Sequence, residues 1–183
     1  REELPATAAV ADYAPLSESA TFTITFDEDT EITGNMKLKL WVSTTDGTDM
    51  DLFVGIDKLD ANGDPVRFSG KAGFAETPAA LGWLRVSERA LDEERSTPWQ
   101  PWLSHDNPQS VTPDEIVPVE IEILPSSTLF RAGESLQLVV QGTDLFEHVR
   151  RDVIRRTVGA VDHDLEAVKI PFRRYRALAE LDV

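Results

Sequence analysis

Residues 48–70 read TDMDLFVGIDKLDANGDPVRFSG, with five aspartates and an asparagine in 23 positions. Such a stretch admits a calcium loop, a pair of catalytic carboxylates, or a strand and its turn. An EF-hand loop needs oxygen ligands at its first, third and fifth positions, glycine at the sixth and a bidentate glutamate at the twelfth. With Gly63 in the sixth place, Asp60 and Asn62 fill the third and fifth, but Lys58 falls at the first and Ser69 at the twelfth. A cation where the first ligand belongs, and no bidentate carboxylate, exclude that loop. Sheet chemistry accounts for the stretch better. Met50, Leu52, Val54 and Ile56 alternate with Asp51, Phe53, Gly55 and Asp57, the period of a half-buried strand. Asn62-Gly63 is then the dipeptide of a two-residue hairpin turn with positive φ at both positions. Asp49 and Asp51 flank Met50, so their carboxylates project to the face opposite the core row. Capping a turn or pairing with Lys or Arg is their expected use, and binding a cation is the alternative.

The same alternation recurs along the chain. TFTITF sets Phe22, Ile24 and Phe26 on one face. MKLKLWVS turns Met36, Leu38, Leu40 and Val42 inward, with Lys37 and Lys39 outward. VPVEIEI offers Val117, Val119, Ile121 and Ile123, and SLQLVV offers Leu136, Leu138 and Val140. Turn signals separate these runs: TGN, DGT, ANGD, PSS and RAGE. Many short strands without βαβ spacing predict an all-β antiparallel sandwich or jelly roll. Pro118 has no N–H to give a central strand, so its run is expected at an edge. Helical period is weak: SERALDEERS (87–96) suits a turn or two, and residues 149–158 suit helix or irregular chain. Residues 1–20 read as a linker or arm, 21–172 as the sandwich and 173–183 as a tail.

One segment stands apart. Residues 82–115 hold three of the four tryptophans and several prolines, and Trp99 and Trp102 are separated only by Gln-Pro. An ordered loop of this length usually covers something. Either the open end of its own sandwich or a partner surface would serve.

Composition narrows the partners. The chain has 183 residues, enough for one substantial core. It carries 18 basic and 33 acidic residues, a net charge of −15. Residues 150–183 hold eight of the bases and six of the acids, so this stretch is +2 and the remainder −17. So negative a surface repels phosphate backbones and anionic lipid, which makes nucleic acid and membrane poor partners. No apolar run approaches a membrane helix and no signal-like segment opens the chain. The absence of cysteine fits a reducing compartment, with the cytoplasm favoured. Arg1 in place of a methionine suggests a piece cut from a longer polypeptide.

A catalytic set is not evident. A nucleophile elbow places glycines two residues before and two after the serine, and no serine here meets that pattern. Ser135 follows Gly133 but precedes Gln137, and it opens a strand. His105, His148 and His163 show no metal-ligand spacing, and no glycine-rich phosphate loop is present. The sequence therefore predicts no catalytic, cofactor-binding or metal-binding residues of its own.

Three segments read together as something known. FDEDTEITGNMKLKLWVSTTDGTDMDLFVGIDKLDANGD, GWLRVSERALDEERSTPWQP and PDEIVPVEIEILPSSTLFRAGESLQLVVQGTD resemble, in that order and spacing, the C-terminal domain of X-prolyl dipeptidyl peptidases. The same domain ends the cocaine-esterase-type (CocE/NonD) hydrolases. The resemblance covers residues 22–144; beyond it, RDVIRRTVGAVDHDLEAVKIPF keeps an outline of the family's closing turn and last strand. It implies a jelly-roll sandwich of the galactose-binding-like type. It also implies an α/β-hydrolase domain in the same polypeptide, whose Ser-His-Asp triad cleaves esters, amides or X-Pro peptides. No triad position maps onto this chain.

The resemblance further implies that the sandwich packs on the hydrolase domain, buttressing the active-site wall and helping to limit substrate size. Trp83, Trp99 and Trp102 are the candidate contacts, with Trp41 an outlying one because it faces away from the Leu38–Leu40 row. The competing expectation is that these rings fill the sandwich's own end. Either placement gains roughly 1.5–3 kcal/mol per buried aromatic. A reading of another class is a free-standing carbohydrate- or ligand-binding module, using Trp99, Trp102, Asp49 and Asp51. Without its partner the chain could also pair with itself as a homodimer.

Overall fold

The computed structural model describes residues 9–69, 76–145 and 175–182, with the backbone alone at 9–10 and 175–182. Nine strands occur among these residues: β1 (Ala9–Tyr13), β2 (Ser19–Thr25), β3 (Thr30–Thr44), β4 (Asp51–Leu59), β5 (Pro65–Val66), β6 (Ala80–Arg85), β7 (Val117–Phe130), β8 (Ser135–Gln141) and β9 (Tyr175–Asp182). Every pairing is antiparallel, along the path β1-β9-β3-β7-β6-β4-β8-β2, with β5 beside β4.

One link in this path is thin. β7 and β6 meet at a single bridge, Gly82 opposite Ile123. The path therefore splits into two four-stranded halves, β1-β9-β3-β7 and β6-β4-β8-β2. At the far end β1 and β2 lie against each other, so the sheet curls back on itself. The molecule is all-β, consistent with the jelly-roll sandwich that the resemblance implies.

The core follows the alternation. Met36, Leu38, Leu40 and Val42 of β3 meet Val117, Val119, Ile121 and Ile123 of β7 on one inner face. Leu52, Val54 and Ile56 of β4 meet Leu136, Leu138 and Val140 of β8 on the other, and all join one buried cluster. Each such side chain contributes roughly 1.5–3 kcal/mol by leaving water. β2 ends the path. Its Phe22 packs on the core with Phe26 just beyond the strand, while Ile24 between them is exposed.

Several expectations need correction. The Asn62-Gly63 hairpin exists, but only Gly63 has positive φ (89°). Asp60 N–H donates to Asp64 O at 2.9 Å and Gly63 N–H to Asp60 O at 3.0 Å, closing a three-residue loop. The Asp60 carboxylate accepts from the backbone N–H of Asn62 (2.8 Å) and Asp64 (2.9 Å), which favours this loop over the two-residue turn. β7 is interior to the path, not an edge. Pro118 is tolerated because, among the described residues, its half of β7 pairs with β3 alone, Pro118 lying opposite Trp41.

The sheet also reaches beyond residues 21–172. Ala9–Tyr13, assigned to an arm, and Tyr175–Asp182, assigned to a tail, pair with each other, and β9 pairs with β3 as well. Of SERALDEERS, Ser87 and Glu88 lie in a single 3-10 turn, Val86–Glu88. Residues 149–158, His148 and His163 lie outside the described residues. Among the described residues no helix is long and apolar enough to cross a membrane.

A bulge in β7 re-aims its side chains. Between Gly34 and Met36 β3 advances two residues while β7 advances three, from Ser126 to Ile123. The extra residue flips the inward parity of β7 from odd (Ile121, Ile123) to even (Thr128, Phe130). Leu124, at the flip, is left outside.

Candidate interaction surface at the seam of the sheets

Gly82 is what lets the two halves touch. A Cβ there would stand 2.4 Å from Glu122 O, well inside contact distance. Past that bridge β6 and β7 form no further ladder pairs among the described residues, and Pro101, Trp102, Leu103 and His105 of the segment 86–116 line a groove with them. This segment has no periodic core row of its own, so specific polar contacts hold it. Asp49 accepts from Ser87 N–H (2.8 Å), Ser87 Oγ (2.8 Å) and Met50 N–H (2.9 Å). Arg89 Nη1 donates to Val86 O (3.0 Å) and Gln109 O (2.5 Å), and burial pulls its pKa down, opposed by the nearby Glu115 and Asp49 charges. Val111 N–H donates to Thr48 O at 2.9 Å, and its side chain anchors the segment in the core.

Within it, Leu91 bridges Leu103, and Thr97 bridges Gln100. This small hairpin puts Trp99 at its tip and Trp102 on its flank. Gln100 Nε2 ties the tip to β7 through Glu122 Oε1 at 2.8 Å. The Arg95 guanidinium lies 4.1 Å over the Trp102 ring.

The result is a groove of about 530 Å³, lined by Trp83, Trp102, Leu103 and Leu124 together with Arg85, Glu88, His105, Glu120 and Glu122. Trp83 is 59% exposed, Trp99 61% and Trp102 41%. These three rings do not fill the end of the sandwich. Trp41 does face away from the core row, but it is 4% exposed, with Lys39 Nζ 5.3 Å from its ring. It is no exposed contact in this structure, which corrects its inclusion.

Asp51 faces Arg85 across β4 and β6 and accepts from its Nε (2.8 Å) and Nη2 (3.2 Å). This hydrogen bond and the Asp51 charge raise the Arg85 pKa, with Asp49 adding at 3.9 Å. Asp49 and Asp51 are thus engaged in holding the groove's wall. No group of three or more His, Asp or Glu side chains that could hold a metal ion occurs among the described residues. Ser135 is buried, its hydroxyl sharing a 2.8 Å hydrogen bond with that of Thr25. His105 has positive φ (57°) and stands 3.8 Å from Glu88 Oε2 on the surface.

Sequence reasoning missed the carboxylates Glu88, Glu120 and Glu122 and the apolar Leu124. The alternation in VPVEIEI did place Glu120 and Glu122 outward. It could not show that β6 would lie beside them.

Comparison with known proteins gives this fold its family. The model of the X-Pro dipeptidyl-peptidase C-terminal non-catalytic domain matches residues 4–151. The chain belongs to that family. Among solved structures it is similar to a CocE/NonD family hydrolase from Staphylococcus aureus, with 37% identity and a TM-score of 0.76 over 96% of this chain and 33% of that one. A second structure of the same hydrolase gives 37% identity and 0.75 over 97% and 33%. This chain thus spans about a third of that hydrolase's length. An aminopeptidase from a marine sediment Thaumarchaeota archaeon shares the fold at 14% identity and a TM-score of 0.53, over 90% of this chain and 24% of that one. None of the curated proteins matches. The match to the non-catalytic domain extends past residues 22–144, the span of the sequence resemblance, and takes in β1.

Proposed function

We propose that this chain is the non-catalytic C-terminal sandwich of a CocE/NonD-type serine hydrolase, of the X-Pro dipeptidyl-peptidase, esterase or acylase class. It packs on the α/β-hydrolase domain of the same polypeptide and buttresses the wall of its active site. The observation that carries this reading is the match at 37% identity over 96% of this chain to only 33% of a CocE/NonD hydrolase. The exposed Trp83, Trp99 and Trp102 support it, since a monomer seldom displays so much aromatic surface without use. The hydrolase domain is a better partner than a second copy, because a homodimer joins two chains of net charge −15.

The test compares ester hydrolysis by this chain with that by the full-length polypeptide. Turnover is expected only in the latter, and Ser135→Ala is expected to leave it unchanged. Turnover by this chain alone that disappears in Ser135→Ala would sink the reading. Calorimetric binding of simple sugars, with or without calcium, would favour the ligand-binding module instead.

A further inference from the structure

The groove at the seam carries more than apolar surface. Had the pairing continued past Gly82 and Ile123, antiparallel register would set Trp83 against Glu122 and Arg85 against Glu120. No further ladder pair forms among the described residues, and Trp83, Trp102 and Leu124 line one wedge with Glu88, Glu120 and Glu122. The Arg85 guanidinium is already engaged, held by both Asp51 oxygens and lying near Asp49. His105 faces Glu88, and Lys37 on β3 pairs with Glu120 at 3.0 Å. The wedge therefore joins an aromatic floor to an excess of carboxylate.

That combination dictates what can cover it. A purely apolar surface would strip Glu88, Glu120 and Glu122 of water without supplying enough opposite charge, which costs more than burying the rings gains. A second copy of the chain would add carboxylates to carboxylates. A base beside apolar side chains satisfies both parts. An indole face also attracts a cation, as Arg95 over Trp102 already shows within this chain.

Resting on the accessory-domain reading, we propose that the wedge receives a segment of the hydrolase domain presenting a lysine or arginine among apolar side chains. The base lies against Glu88 and Glu122, and its apolar neighbours cover Trp83, Trp102 and Leu124. The S. aureus hydrolase extends well beyond the part this chain matches, so polypeptide to supply such a segment exists in that relative.

Hydroxyl-radical footprinting tests the assignment, comparing this chain with the full-length polypeptide. Trp83 and Trp102 are expected to react several-fold less in the full-length protein. Glu88→Gln with Glu122→Gln, made there, is expected to return most of that reactivity, as is raised salt acting on the parent protein. Glutamine at 122 keeps the shape and can still meet Gln100, and Glu120 is left intact to hold Lys37. The salt arm needs no substitution, so the test survives a variant that folds poorly. An ester-hydrolysing polypeptide whose Trp83 and Trp102 react as in the isolated chain overturns the wedge assignment and leaves the accessory-domain reading standing. Protection indifferent to both salt and the glutamines overturns the basic complement. Absence of hydrolase activity in the full-length protein removes the accessory-domain reading and, with it, this one.

Discussion

The inner faces of the sheet and the segment 86–116 adjoin along β6, yet different forces hold them. The first is a continuous set of buried aliphatic rows, from Leu38 and Ile121 to Val54 and Leu138. The second is pinned by directed hydrogen bonds that Asp49 accepts and Arg89 donates, with Val111 and Leu103 as apolar anchors. Apolar burial is non-directional and tolerates repacking. Directed bonds fix a shape without requiring a periodic sequence. Trp99, Trp102 and Glu88 sit on the second kind of scaffold, whereas Trp83 on β6 and Glu120 and Glu122 on β7 are the outward residues of alternating strands. The surface most open to a partner is therefore built where the two kinds of scaffold meet.

Substitutions can break this contrast in graded order. Leu38→Ala removes a fully buried side chain of β3 and is expected to cost about 2–5 kcal/mol in urea unfolding. Gly82→Ala drives a methyl onto Glu122 O at the one bridge between the halves, costing roughly 1–3 kcal/mol and shifting Trp83 fluorescence. A core loss smaller than the seam loss would reverse the picture. Asp49→Ala takes three hydrogen bonds from the junction of β4 and the segment. It should cost about 1–2 kcal/mol and speed proteolysis within residues 86–116 more than within the strands.

A titration sharpens the comparison from the sheet side. Glu134 bonds to Lys58 Nζ (2.6 Å) and accepts the Arg131 N–H (2.6 Å), which holds its carboxyl below the ordinary 4.5. A carboxyl lowered in the folded state stabilises above its unfolded pKa and loses that contribution as pH falls through the folded value. The urea-midpoint gap between the parent and Glu134→Gln should be full above about pH 4.5 and close below it. The pair is near the surface, so the gap is expected within about 1 kcal/mol. The smallest effect belongs to Trp99→Ala, which touches no core row and should move the stability of this chain by no more than about 0.5 kcal/mol. A loss of several kcal/mol would return Trp99 to the role of filling its own sandwich.

The legible and illegible parts of the fold divide along physical lines. The rows of β3, β4, β7 and β8 were visible because each strand buries one face, and burial writes a period of two into the chain. β1 and β9 were not. AVADY and YRALAELD contain alanines, which have little preference for strands; β9 becomes a strand between β3 and β1, and β1 by pairing with β9. The hairpin at Asn62-Gly63 was legible as a turn. Its length was not, because the Asp60 carboxylate chose between two loops that the dipeptide alone allows.

At the groove, Trp83, Trp99 and Trp102 could be picked out by type and spacing. The carboxylates beside them could not, since Glu120 and Trp83 are 37 positions apart and meet only because Gly82 admits β7.

What the sequence determined alone is the alternation, the turns and the family likeness, all properties of neighbouring residues or of their order. Tertiary structure alone decided that β6 and β7 share one ladder pair, that β7 reverses its inward parity at a bulge, and that two indole rings share a wedge with acids. Those outcomes depend on which strands become neighbours through space, and an energy shared between distant segments leaves no mark on either one read by itself.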